Sequence, residues 1–127
     1  MSQILLIEPD RLLAETYKEA LSMAGHKVTV ASGSQEAIDL ADNISPDLII
    51  LEIQLVGHSG VEFLYEFRSY PEWQNIPVII HTSVPFAELA DSWPILSKHL
   101  NTSEYRYKPD TTLEALISSV NDLALTT

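Results

Sequence analysis

Cysteine is absent from this 127-residue chain, which excludes disulfides and thiolate-bound metal centres and leaves the redox compartment open. No apolar run approaches the ~20 residues that a membrane-spanning helix needs. The start, Met1-Ser2-Gln3 followed by Ile4-Leu5-Leu6-Ile7, lacks the basic flank and long apolar segment of a secretory signal and reads as a first strand. The cytoplasm is therefore the expected location. Positive charge is scarce: seven Lys and Arg stand against 18 Asp and Glu, a formal net charge of −11. Those seven are scattered and form no basic stripe that could neutralise phosphates, so direct nucleic-acid binding is not expected. The acids are scattered too, as on a solvated surface, and a protein is the expected class of partner. Repeats, linkers and low-complexity segments are also missing.

What is present is enough for one domain with a real core: 46% hydrophobic and 20% charged residues describe a soluble globular chain. Five short apolar or β-branched runs alternate with helical patterns. Ile4 to Ile7 is the first strand, and Asp10 can cap a helix whose apolar face holds Leu13, Tyr17, Ala20, Leu21 and Ala24, stopped at Gly25. Lys27 to Ala31 is the second strand. Ser32-Gly33-Ser34-Gln35 offers a capping box for a helix with Ala37, Ile38, Ala41 and Ile44 inside, ended by Asn43 and Pro46. Leu48-Ile49-Ile50-Leu51 is a strand apolar on both faces that runs into Glu52.

Ser59 then caps a helix through Val61, Leu64 and Phe67, ended by Pro71. Ile76 to His81 is a fourth strand. Pro85 to Leu100 has a helical pattern that Pro94 should kink or split. Glu104 to Tyr107 is a short, polar fifth strand suited to a sheet edge. Thr111-Thr112-Leu113-Glu114 reads as a capping box for a last helix with Leu113, Leu116, Ile117, Val120 and Leu123 on one face. Strand–helix alternation of this kind predicts a parallel sheet covered by helices on both sides.

In a parallel sheet all carboxyl ends point one way, and ligands gather beyond them. The residues just past the strands are Glu8 and Asp10, then Glu52, then His81, Thr82 and Ser83, then Lys108. Each alone has an ordinary reading: Asp10 as a helix cap, Thr82 as a helix-entry residue, Lys108 as a surface amine. Three acids, a hydroxyl and a lysine meeting on one rim are far more specific.

These residues, with Asp47-Leu-Ile-Ile-Leu-Glu52, Gly60 eight positions on, Pro77-Val-Ile-Ile-His-Thr82-Ser83 and Tyr105-Arg-Tyr-Lys108-Pro109, resemble the receiver domain of two-component response regulators over essentially the whole length, residues 1–127. The resemblance implies a flavodoxin-like (βα)5 fold with strand order 2-1-3-4-5. It implies a signalling module in place of an enzyme, taking part in a phosphorelay with a histidine kinase, phosphotransfer or output protein. A homodimer through the fourth helix, fifth strand and fifth helix is compatible with it. Mapped onto this chain, Glu52 takes the phosphoacceptor position, Glu8 the first metal-binding acid, Thr82 the hydroxyl, Lys108 the lysine and Tyr105 the switch aromatic.

Two positions depart from the family pattern. Glu52 replaces an aspartate, carrying its carboxylate roughly 1.5 Å further out. Misplacement by about 1 Å can cost on the order of 10²-fold when catalysis rests on positioning. Pro9 replaces the second metal-binding acid, which weakens a Mg²⁺ site. If the first strand runs one residue longer, Asp10 shares a face with Glu8 and a weak Mg²⁺ site survives at Glu8 and Asp10. The expected function is a pseudo-receiver that acts through protein contacts without phosphorylation. The alternative is a working phosphoacceptor with a shifted metal site. Glu52 is expected to reach Thr82 or to pair with Lys108. The segment from Val84 to Glu104, with Pro85 and Pro94, departs from the family's usual fourth helix and suggests an altered partner.

Overall fold

The computed structural model describes residues 2–125, and the last helix is followed as far as Leu125. Strand β1 (Gln3–Ile7) leads to helix α1 (Arg11–Met23), β2 (Lys27–Ala31) to α2 (Ser34–Ile44), and β3 (Leu48–Leu51) to α3 (Gly60–Arg68). Strand β4 (Val78–Thr82) leads to a short α4 (Phe86–Leu89), and β5 (Glu104–Tyr107) to α5 (Leu113–Leu125). All strands are parallel in the order β2-β1-β3-β4-β5, the flavodoxin-like topology expected from the alternation.

Alternation along the strands divides the core in two. Leu5, Ile7, Ile49, Leu51, Val78 and Ile80 face α2 and α3, where Ala37, Ile38, Ala41, Phe63, Leu64 and Phe67 cover them. Ile4, Leu6, Val28, Leu48, Ile50 and Ile79 face α1 and α5, meeting Ala14, Tyr17, Leu21, Leu116 and Val120. Strands buried on both sides explain why their sequences are continuous apolar runs. Only β5, polar and at the sheet edge, has four half-buried residues.

Several local expectations need correction. No capping box forms at 32–35: Gly33 is the N-cap of α2 with no side-chain bond, and Glu36 instead reaches back to the Ser32 N–H at 2.6 Å. At the last helix Thr112, one residue later than the start of the expected box, accepts from the Ala115 N–H at 3.0 Å, while Thr111 donates to the Tyr107 carbonyl at 2.7 Å. Leu113 is 40% exposed and so leaves the apolar face of α5, and Ala24 is the exposed C-cap of α1. Ser59 does cap α3, and Glu62 extends the cap into a full capping box.

The 85–100 stretch is split, as Pro94 requires. After α4 the chain tightens into a 3-10 turn at Ala90–Ser92 and widens into a π-turn at Ile95–His99. Proline at 94 cannot donate to the carbonyl four residues back and crowds it, so the helix cannot run through.

Candidate functional site

The rim above β1, β3, β4 and β5 holds one connected cluster of charged and hydroxyl groups. Backbone ladders carry Glu8 and Glu52 to their places: the Glu8 N–H donates to Ala31 O and the Glu52 N–H to Ile7 O, both at 2.9 Å. Behind Glu52, the start of α3 packs so closely that a Cβ on Gly60 would lie 2.6 Å from Ile53 Cα and 3.1 Å from Glu52 O. Only glycine fits, and the Gly60 N–H donates to Ile53 O at 2.8 Å, fixing the segment that presents Glu52.

Lys108, delivered by the end of β5, places its Nζ 2.6 Å from Glu8 Oε1 and 2.8 Å from Glu52 Oε1. The other Glu52 oxygen accepts from the Thr82 hydroxyl and, at 3.1 Å, from the Gln54 N–H. Ser83 N–H adds a long 3.4 Å contact to Oε1. Glu8 Oε2 accepts from the Asp10 N–H at 3.1 Å. Every oxygen of both carboxylates is therefore engaged by a donor of the chain itself. The side chains of Glu8, Glu52 and Lys108 are 3%, 5% and 10% exposed, so the pairs sit in a poorly screened environment.

Burial alone would raise the Glu52 pKa, but hydrogen bonds from Lys108, Thr82 and the Gln54 N–H outweigh it and hold the carboxyl below its ordinary range. For Lys108, burial acts to lower the pKa, and the bonds to Glu52 and Glu8 overcome it and raise the ammonium above its ordinary value. Both shifts favour the charged pair.

Glu52 thus reaches Thr82 and Lys108 at once, where the sequence suggested one or the other. Glu8 joins them, a contact not anticipated because it depends on where one lysine chain ends. Asp10 does not enter the cluster: its exposed carboxylate accepts from the Leu13 N–H at 3.1 Å and caps α1. Pro9 contributes no oxygen from its side chain. Mg²⁺ needs near-octahedral oxygens at about 2.0–2.1 Å. Here an ammonium bridges the two acids, and among the described residues no group of three His, Cys, Asp or Glu is placed to hold a metal. As arranged, these residues do not fit the ion.

A hydrogen-bond path leaves the cluster along the β4–α4 loop. Thr82 Oγ1 accepts from the Val84 N–H at 3.2 Å, and the Val84 carbonyl accepts from the Tyr105 hydroxyl. Tyr105 is half-buried and meets Phe86 edge-on at 5.1 Å and Trp93 at 6.0 Å, with Phe86 and Trp93 5.6 Å apart. Burial, with Glu52 and Glu88 nearby, pushes the Tyr105 phenol up to about 12. On the opposite face of the sheet, buried His81 stands edge-on to Tyr17 at 4.9 Å, and burial, reinforced by Lys108, lowers its pKa to about 4. It is a neutral packing residue near pH 7. Trp73 stacks on Phe67 at 4.8 Å in the core.

With this geometry established, the comparisons with known proteins decide the family. The sequence model of the response regulator receiver domain matches residues 4–92. The chain belongs to the response regulator receiver domain family. It is 33% identical over 109 residues to the transcriptional regulatory protein CpxR of Escherichia coli, a match covering 86% of this chain and 44% of that protein. The chain thus spans under half the length of the curated relatives it matches. In structure it is similar to the chemotaxis response regulator CheY4 of Vibrio cholerae, with a TM-score of 0.85 and 20% identity over 97% of this chain and 98% of that one. The receiver domain of a histidine kinase from Syntrophus aciditrophicus gives a TM-score of 0.86 at 23% identity, covering 100% and 92%. Those identities speak for the fold alone.

This receiver also contains a residue that sequence reasoning passed over. Arg68, at the end of α3, is 9% exposed and donates to four backbone carbonyls. Its position four residues after buried Leu64 placed it on the inner face of the helix, which was the available signal.

Proposed function

We propose that this receiver domain works without phosphorylation, as a protein-interaction module of a two-component pathway whose pocket is closed by its own side chains. The observation that carries the reading is the Glu8–Lys108–Glu52 bridge with Thr82 on the second Glu52 oxygen. Phosphoryl transfer to a carboxylate needs a free oxygen in line with the donor and a cation on the departing charge. Glu52 has no such oxygen, and the cation next to it is a lysine. The Glu carboxylate carries about −1 where a phosphoryl group would bring about −1.5 to −2, so it stands in for only part of that charge. It nevertheless engages the same hydroxyl and lysine that the family uses to hold the phosphoryl group.

The path from Glu52 through Thr82 and Val84 to Tyr105 ties the pocket to the aromatic group of Phe86, Trp93 and Tyr105. Within that group Phe86 is exposed. The aromatic group marks the surface through which the module engages a kinase, a phosphotransfer or output protein, or a second copy of itself. The thinly spread positive charge argues against nucleic acid as the partner. Among the described residues no helix is long and apolar enough to cross a membrane.

Backbone NMR tests the coupling. Adding acetyl phosphate and Mg²⁺ to the wild type should leave the amide signals of Thr82 to Phe86 and of Tyr105 in place. Glu52→Gln should move them. Donor-induced shifts across that path in the wild type would defeat the proposal.

A further inference from the structure

The guanidinium of Arg68 carries a positive charge into the protein with no negative partner among the described residues. Its Nε donates to Leu100 O at 2.9 Å, Nη1 to Trp73 O, and Nη2 to Ile76 O at 2.8 Å and Asn101 O at 3.0 Å. Those carbonyls use four of its five N–H groups and leave one on Nη1. Carbonyl dipoles satisfy hydrogen bonds without cancelling the charge, and Arg68 forms no ion pair among the described residues. Burial lowers its pKa to about 10, so it stays charged near neutral pH.

Beside it is an open cavity of about 470 Å³. A chain with 18 Asp and Glu places none of them in the lining. The lining includes Arg68, Tyr65, Asn75, His99 and Asn101. The rings of Tyr65 and His99 are 6.1 Å apart, and the side chains of Asn75, Tyr65 and His99 make no hydrogen bond within the described protein, leaving their polar atoms available. Asn101 adopts a left-handed backbone (φ 53°), and its amide donates to Gln74 O at 3.1 Å, which shapes one wall. Tying α3 to its neighbouring loops would explain the four carbonyl bonds. It does not explain an acid-free cavity with unspent donors next to an unneutralised cation.

We propose that this cavity, at the end of the sheet opposite the Glu8–Lys108–Glu52 cluster, binds a small organic carboxylate. The carboxylate supplies the charge that Arg68 lacks, Asn75 and His99 supply side-chain donors, and the Tyr65 ring offers an apolar face for the rest of the ligand. A single guanidinium in a lining without acids matches a monoanion, and the volume falls within the range of small-molecule pockets, roughly 300–1,000 Å³.

The test is a ¹H–¹⁵N NMR titration of the 127-residue chain with benzoate, with benzamide and sodium chloride as controls. Benzoate should give saturable shifts at residues 65–69, 74–75 and 99–101, with a Kd on the order of 1 mM. Benzamide and chloride should not. Asn75→Asp, an exposed and nearly isosteric change that does not threaten the fold, should weaken benzoate about 5-fold, the effect of one unit charge at roughly 4 Å in water. Absent shifts, equal shifts with benzamide or chloride, or unchanged affinity in Asn75→Asp would overturn the proposal.

Discussion

Replacing Lys108 with methionine removes the cation from between two buried acids while keeping a chain of similar length. Glu8 and Glu52 each have an oxygen within hydrogen-bond reach of the same nitrogen, at 2.6 and 2.8 Å, with only 3% and 5% of their side chains exposed. Two carboxylates about 5 Å apart at an effective dielectric of about 20 repel by roughly 3 kcal/mol. Breaking a buried pair by removing one partner costs about 3–5 kcal/mol in general. For a domain of this size that corresponds to a Tm fall of roughly 10–20 °C at pH 7.

The pH dependence separates this cause from mere loss of packing. In the wild type, Glu52 has a depressed pKa, so its contribution is present above the unfolded value near 4.5 and fades as pH falls through the lower folded value. Lys108 has a raised pKa, so its contribution is present below 10.5 and fades as pH rises through the higher folded value. Between those limits the bridge contributes a constant amount. In Lys108→Met the two acids share a proton more readily as pH falls, so the Tm gap to wild type should narrow from pH 7 to pH 5. Thermal melts followed by circular dichroism measure it. A gap under about 1 kcal/mol at pH 7, or one that does not narrow, would refute the electrostatic reasoning.

Other perturbations follow from the same geometry. Gly60→Ala should destabilise by about 1–3 kcal/mol in denaturant melts, because its Cβ meets backbone at Ile53 and nothing there can move aside cheaply. His81 has a folded pKa near 4 against 6.5 unfolded, so the wild type should lose stability as pH falls from about 6.5 to 4, and His81→Leu should remove that part of the acid sensitivity. Tyr105→Phe deletes the bond to the Val84 carbonyl and should cost about 1 kcal/mol, and ultraviolet titration should lose the phenol that ionises near pH 12.

The five strand–helix units were legible because strands buried on both sides must be apolar throughout, while β5, at the edge, is free to be polar. The break at Pro94 was legible for a covalent reason. Capping at 111–115 was misread by one residue, since two neighbouring threonines can each cap and only backbone direction selects one; at 32–36 no hydroxyl caps, because Gly33 takes the N-cap position and Glu36 bonds the Ser32 N–H. At the site, strand ends brought Glu8, Glu52, Thr82 and Lys108 to one rim, as parallel topology demands. The double bridge through Lys108 was not legible, because it depends on the reach of a four-carbon side chain. Asp10 lies two residues after Glu8, yet the free N–H groups opening α1 take its carboxylate. Arg68 was missed because a charge on an apolar helix face is usually read as solvated.

The proposed bar to phosphoryl transfer rests on Glu52 being held by Lys108 and Thr82. Intact-mass analysis after incubation with acetyl phosphate and Mg²⁺, followed by an acid-lability check, tests it most directly. The wild type should keep its unmodified mass, and an acid-labile phosphoryl adduct should appear when Pro9→Asp and Glu52→Asp are combined. A labile adduct on Glu52 of the wild type would contradict it.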